Sequence, residues 1–185
     1  MDLTSEEKSF LLETARNSIK NLFTKTVIAQ PDYDKFPVLK SRAGAFVTLT
    51  INSRLRGCIG YIISDKPLFE TVKDAAVQAA IGDPRFMPLT EEEFEVVDIE
   101  VSILSEPFKM NSYDEIVLGR HGLILDDMGR RGLLLPQVPV EHNMNKDQYL
   151  CAICEKAGLP SFAWKERTLN INMFTANVFS EKKET

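Results

Sequence analysis

Ala45, Val47, Leu49 and Ile51 alternate with Phe46, Thr48 and Thr50, and the pair Asn52-Ser53 follows at once. A two-residue period buries one face of a strand, and a tight pair of turn residues returns the chain beside itself. The alternation therefore predicts a β-hairpin over 45–63, and with it an antiparallel sheet. A second hairpin is expected where Gly122–Leu125 and Gly132–Leu135 flank the polar segment 126–131. Val97, Ile99, Val101 and Ile103 supply another one-sided strand, and residues 169–179 alternate once more as a final strand.

Helical segments are fewer. Thr4 with Glu7 forms a capping-box pattern, and Phe10, Leu11, Ala15, Ile19, Leu22 and Phe23 follow at helical spacing, predicting a helix over about 5–23. Asp65 and Pro67 are set to cap and open a second helix that runs to about residue 81 and ends at Gly82. Asn145 with Gln148 opens a third, closing at Gly158 before Pro160. Residues 30–43 read as loop. Hairpins with few helices favour an α+β class, a mainly antiparallel sheet flanked by helices, and the length allows one domain or one domain carrying a small subdomain. At 185 residues the chain suits one domain over 1–180 with a polar tail at 181–185.

A net charge of −5 argues against non-specific binding of nucleic acid or of an anionic membrane surface. No apolar run reaches the length of a membrane span, and the acidic start MDLTSEEKSF lacks the apolar core of a secretory signal. Three cysteines fit a reducing compartment, so a cytoplasmic location is expected.

The candidate chemistry centres on Leu55-Arg56-Gly57-Cys58-Ile59-Gly60-Tyr61. Strand parity puts Arg56, Cys58 and Gly60 on one face, with the first two about 7 Å apart. A guanidinium at that range would lower the thiol pKa and make Cys58 a nucleophile; alternatively, Cys58 is a small buried residue and Arg56 a structural cation. Gly57 and Gly60 mark close approach by another backbone, a side chain or a ligand. Asp83-Pro84-Arg85-Phe86 places Arg85 either over a cleft or in a plain turn, with Asp83 beside it as a ligand-binding candidate. Glu100, mid-strand, would need Arg56 or Arg85 as partner if buried and no explanation if exposed. His121 is a candidate acid/base or a hydrogen-bonded turn residue, and His142 a solvated loop side chain. Cys151 and Cys154 match CxxC but start beyond the first turn of their helix. No second ligand pair stands at zinc spacing, so core packing on a shared inward face is expected and no metal site is assigned. No motif indicates a cofactor, which stays unknown.

Several segments together resemble the AMMECR domain family. They are Leu-Arg-Gly-Cys-Ile-Gly at 55–60, Gly44–Leu49, Asp83–Phe86 with Pro88-Leu89, His121–Leu125, Gly132–Val138, and Lys156–Pro160 before Trp164. Met144 departs from the pattern, since the family usually carries tryptophan there. The resemblance implies a compact α+β fold with a smaller subdomain, and no established activity. It implies Memo-like or radical-SAM proteins as partners, because prokaryotic relatives are fused to or encoded beside them. Eukaryotic relatives are associated with nuclear and cytoplasmic roles and with development. Two functions follow as expectations. One is a binding or accessory module presenting a cleft around 55–60 to a partner protein or small ligand. The other is an enzyme using Cys58, with Arg56 and Arg85 positioning an anion and His121 or Glu100 as acid/base.

Overall fold

The computed structural model of the chain describes residues 2–181. The helices are α1 (Ser5–Lys20), α2 (Leu68–Ile81), α3 (Glu91–Phe94), α4 (Val138–Glu141), α5 (Lys146–Lys156) and α6 (Ala163–Glu166). The strands are β1 (Ala45–Ile51), β2 (Arg54–Tyr61), β3 (Asp98–Leu104), β4 (Phe108–Lys109), β5 (Gly122–Asp127), β6 (Arg130–Leu134), β7 (Ile171–Phe174) and β8 (Ala176–Ser180). They form an α+β protein with two four-stranded sheets, ordered β2-β1-β3-β8 and β4-β7-β5-β6. The chain divides into two compact units: residues up to Leu104 together with those from Asn177, and Ser105–Ala176.

In the first unit, Thr4 and Glu7 complete the capping box, each accepting from the other's backbone N–H, and α1 buries Leu11, Ala15 and Ile19. Ala45, Val47, Leu49, Ile99, Val101 and Ile103 bury the sheet face beneath the helices. Asn52 and Ser53 both adopt positive φ, the conformation a two-residue hairpin requires. The small residues Ala75, Ala76 and Ala79 let α2 lie close to the sheet.

In the second unit, Leu123, Leu125, Ile153, Ile171 and Met173 form the core around Tyr149. The buried Tyr149 hydroxyl lies 3.2 Å from the carbonyl oxygens of His121 and Leu135 and 3.3 Å from that of Leu134. The O–H thus faces carbonyls at the entry to β5 and the exit of β6, and burial pushes its pKa well up. Asn145 and Gln148 form the capping box of α5, and Gly158 follows it with φ +72°.

Several sequence expectations are corrected. The first helix stops at Lys20 rather than continuing to 23. The loop 30–43 contains a 3-10 turn, Pro37–Lys40, opened by its proline. Asp65 does not cap α2, which begins after Pro67 without a side-chain cap. The polar segment 126–131 is mostly strand, and the hairpin closes on Met128 and Gly129 alone. The strand read over 169–179 is two strands, β7 and β8, that join different sheets. Ser180 ends β8, and Glu181 donates its N–H to the Ile99 carbonyl and pairs with Arg16, so the start of the expected tail is held. The rest of that tail, 182–185, lies outside the described residues.

Candidate functional site

β2 is the outer strand of its sheet, and its register on β1 slips between Leu49 and Thr50. Leu49 pairs with Gly57 and Thr50 with Leu55, which leaves Arg56 as the extra residue of a β-bulge. Strict alternation therefore fails at Arg56, and its guanidinium does not act on Cys58. It makes two hydrogen bonds to Glu93, at 2.8 and 2.7 Å, and one to the Met87 carbonyl at 3.0 Å. Arg56 holds Glu93 below the usual carboxylate range.

Beyond the bulge the parity is restored. Thr48 pairs with Cys58 on one side and Glu100 on the other, so the three form a row across β2, β1 and β3. The Thr48 hydroxyl donates to Cys58 Sγ at 3.4 Å. Burial pushes the Cys58 thiol up. Thr48 and Arg85 oppose that rise, and the carboxylates of Asp83 and Glu100 add to it.

The loop after α2 closes over the outer edge of β2. Asp83, 4% exposed, accepts the Cys58 backbone N–H at 2.9 Å. It also accepts from the Arg85 guanidinium at 2.9 and 2.7 Å and from the Arg85 N–H at 3.1 Å. These bonds, Arg85 foremost, hold the Asp83 carboxyl well below its ordinary range. The guanidinium reaches the Cys58 carbonyl at 3.5 Å, so Asp83 and Arg85 together cover the edge where another strand would pair. Both guanidiniums lie near the Phe86 ring, that of Arg56 5.7 Å and that of Arg85 5.6 Å from its centre. Leu55 and Met87, neighbours in sequence of Arg56 and Phe86, are exposed by 43% and 80%.

The structure thus brings Cys58, Asp83, Arg85 and Glu100 together and turns Arg56 to Glu93. A Cβ at Gly57 would meet the Ala79 carbonyl oxygen at 2.2 Å, and one at Gly60 the Phe46 ring at 2.5 Å. The space beside both glycines is taken by the chain itself. His121 belongs to the second unit, where its Nδ1 accepts the Val117 N–H at 3.2 Å and its ring stands edge-on to Phe108. Sequence reasoning assigned Thr48, Phe86 and Glu93 no part in the site, although Phe86 lies in the segment 83–86 and Thr90 with Glu93 shows a capping pattern.

The CxxC cysteines do not share one environment. Cys154 is buried in the core, whereas Cys151 is half-buried and accepts the Trp164 indole N–H at 3.5 Å. Cys151 lines a groove of about 470 Å³ along α5, with Met144, Asp147, Glu155, Phe162 and Lys165 around it. Among the described residues, no group of three or more His, Cys, Asp or Glu side chains is arranged to hold a metal ion. No helix among them is long and apolar enough to cross a membrane.

Comparison with known proteins places this arrangement in context. The AMMECR1 family model matches residues 12–179. A protein of Methanocaldococcus jannaschii is 41% identical over 97% of this chain and 92% of its own length. One of Methanosarcina barkeri is 37% identical over 98% and 93%. The crystal structure of an uncharacterized protein from Pyrococcus horikoshii superposes with a TM-score of 0.87 at 37% identity, covering 97% of this chain and 94% of that one.

Proposed function

The chain belongs to the AMMECR1 family, and from that premise we propose that it acts as a binding or accessory module presenting the surface around residues 55–60 to a partner protein. The observation that carries this reading is the use to which the polar side chains are put. Arg56 is spent on Glu93 and the Met87 carbonyl, and Asp83 on the Cys58 N–H and Arg85. These pairs build and stiffen a surface, and they leave Leu55, Met87 and the half-exposed Arg85 facing outward. Exposed apolar side chains in a segment whose charges are fixed by ion pairs suit association with another surface. The raised Cys58 thiol further favours this reading over a thiolate nucleophile.

Memo-like and radical-SAM proteins are the partners to test. Isothermal titration of the purified chain against each is expected to give saturable binding with one of them, lost in Met87→Asp while circular dichroism stays unchanged. A reaction catalysed by the chain alone and abolished by Cys58→Ser, with the fold intact, would overturn the proposal. That outcome belongs to the second reading, an enzyme, which the Thr48 hydrogen bond to sulfur and the nearby Arg85 favour. In it Arg85 would position an anionic substrate for Cys58.

A further inference from the structure

The groove along α5 contains an internal clue to what it binds. Gln148, Cys151, Ala152 and Glu155 recur at helical spacing and present one face of α5. Met144 and Phe162 wall that face, and Phe162 is 60% exposed, a large ring left without cover. Carboxylates stand towards the two ends. Asp147 lies in the first turn of α5 and Glu155 near its end, roughly 12 Å farther along the axis.

One cation already occupies part of this groove. The Lys165 ammonium lies 3.1 Å from Asp147 Oδ2, 4.8 Å from the centre of the Trp164 ring and 5.7 Å from that of Phe162. Both ring distances fall within the range of about 6 Å over which an aromatic face attracts a cation. A carboxylate with two rings is thus a formed ammonium cradle, and the chain's own lysine sits in it. Lys165 and Asp147 are 49% and 61% exposed, and an ion pair so open to water is weak enough to exchange. Glu155, at the other end, accepts from the neutral Ser161 hydroxyl at 2.6 Å.

We propose that the groove is a binding site for a free aliphatic polyamine. One ammonium replaces Lys165 between Asp147, Trp164 and Phe162, the methylene chain lies over Met144 and Ala152, and a second ammonium pairs with Glu155. A monoamine can engage only one of the two carboxylates, by exchange at Asp147 or by pairing with Glu155. A second ammonium at Glu155 is the net gain, so the site selects a molecule with separated positive charges. An extended triamine such as spermidine has the reach to touch both carboxylates, and the groove volume falls in the range of small-ligand sites.

Trp164 is the single tryptophan of the chain, and its contacts with Cys151 and Lys165 of the groove let its fluorescence report on binding there. Spermidine is titrated into the full chain, with calorimetry in parallel. Saturable binding is expected, together with at least tenfold weaker binding of n-butylamine. Lys165→Met, which vacates the cradle, should tighten spermidine binding roughly fivefold. Glu155→Gln should weaken it roughly tenfold. Glu106→Gln, an equal charge change on an exposed residue outside the groove, should have no effect. The proposal is overturned if neither the wild type nor Lys165→Met gives a saturable response. It is equally overturned if magnesium ion reproduces the response, if Glu106→Gln weakens binding as much as Glu155→Gln, or if a lysine-rich peptide binds more tightly than spermidine.

Discussion

At the scale of single residues, Asp83 is the hinge of the candidate site, because one buried carboxylate serves both the Cys58 backbone and the Arg85 guanidinium. Asp83→Ala would leave that N–H and the cation without their acceptor, and a loss of about 3 kcal/mol in urea denaturation is expected. Since the folded carboxyl titrates below its unfolded value, its contribution is fully present above roughly pH 3.9. It drains away as the pH falls from there towards the folded pKa. Asp83→Asn should therefore flatten the acid limb of the stability profile; an unchanged limb would contradict the assignment. Cys58 moves the other way. Burial raises its thiol, so alkylation followed by mass spectrometry should be slow at pH 7 and rise only above the free-thiol value of about 8.5. Thr48→Val, which removes the donor to sulfur, should slow it further. The segment 55–60 and Asp83-Pro84-Arg85-Phe86 stood out in the sequence through their unusual glycines and charges. The pairing of Arg56 with Glu93 did not, because the partners are 37 residues apart and no local periodicity links them.

At the scale of elements, the legible parts were those whose signal is local. The capping boxes of α1 and α5 and the alternation of β1 depend on residues a few positions apart, and each formed as read. The bulge at Arg56 did not show itself, since alternation along one strand says nothing of register on its neighbour. The same limit hid the division of 169–179 into β7 and β8: both halves alternate, and only the sheets they join distinguish them. The short helices α3, α4 and α6 span four residues each, too few for a helical period to be seen. Gly57 joins the two scales. It lets the α2 backbone rest on β2, so Gly57→Ala must push Ala79 away and separate helix from strand. A loss of about 2 kcal/mol or more in thermal or urea unfolding is expected. Retained stability would mean that α2 can shift at little cost.

At the scale of the whole molecule, the decisive feature is that the first unit is not continuous in sequence. The chain leaves it after Leu104, completes Ser105–Ala176 as the second unit, and returns from Asn177 to set β8 beside β3. Ending the chain after Thr175 would strip β8 from β3 and remove the partner of Arg16. Hydrogen exchange should then show lost protection in β3 and β1 and a rise in aggregation through the bared strand edge. Unaltered protection there would show that β8 adds little. The same connectivity bears on synthesis. A ribosome delivers the chain from its N-terminus, so the first unit stands with β3 open while every residue of the second is still being made. Its last strand follows only after all of them. Until then the nascent protein exposes an unpaired edge, and the time taken to translate the second unit sets how long that hazard lasts.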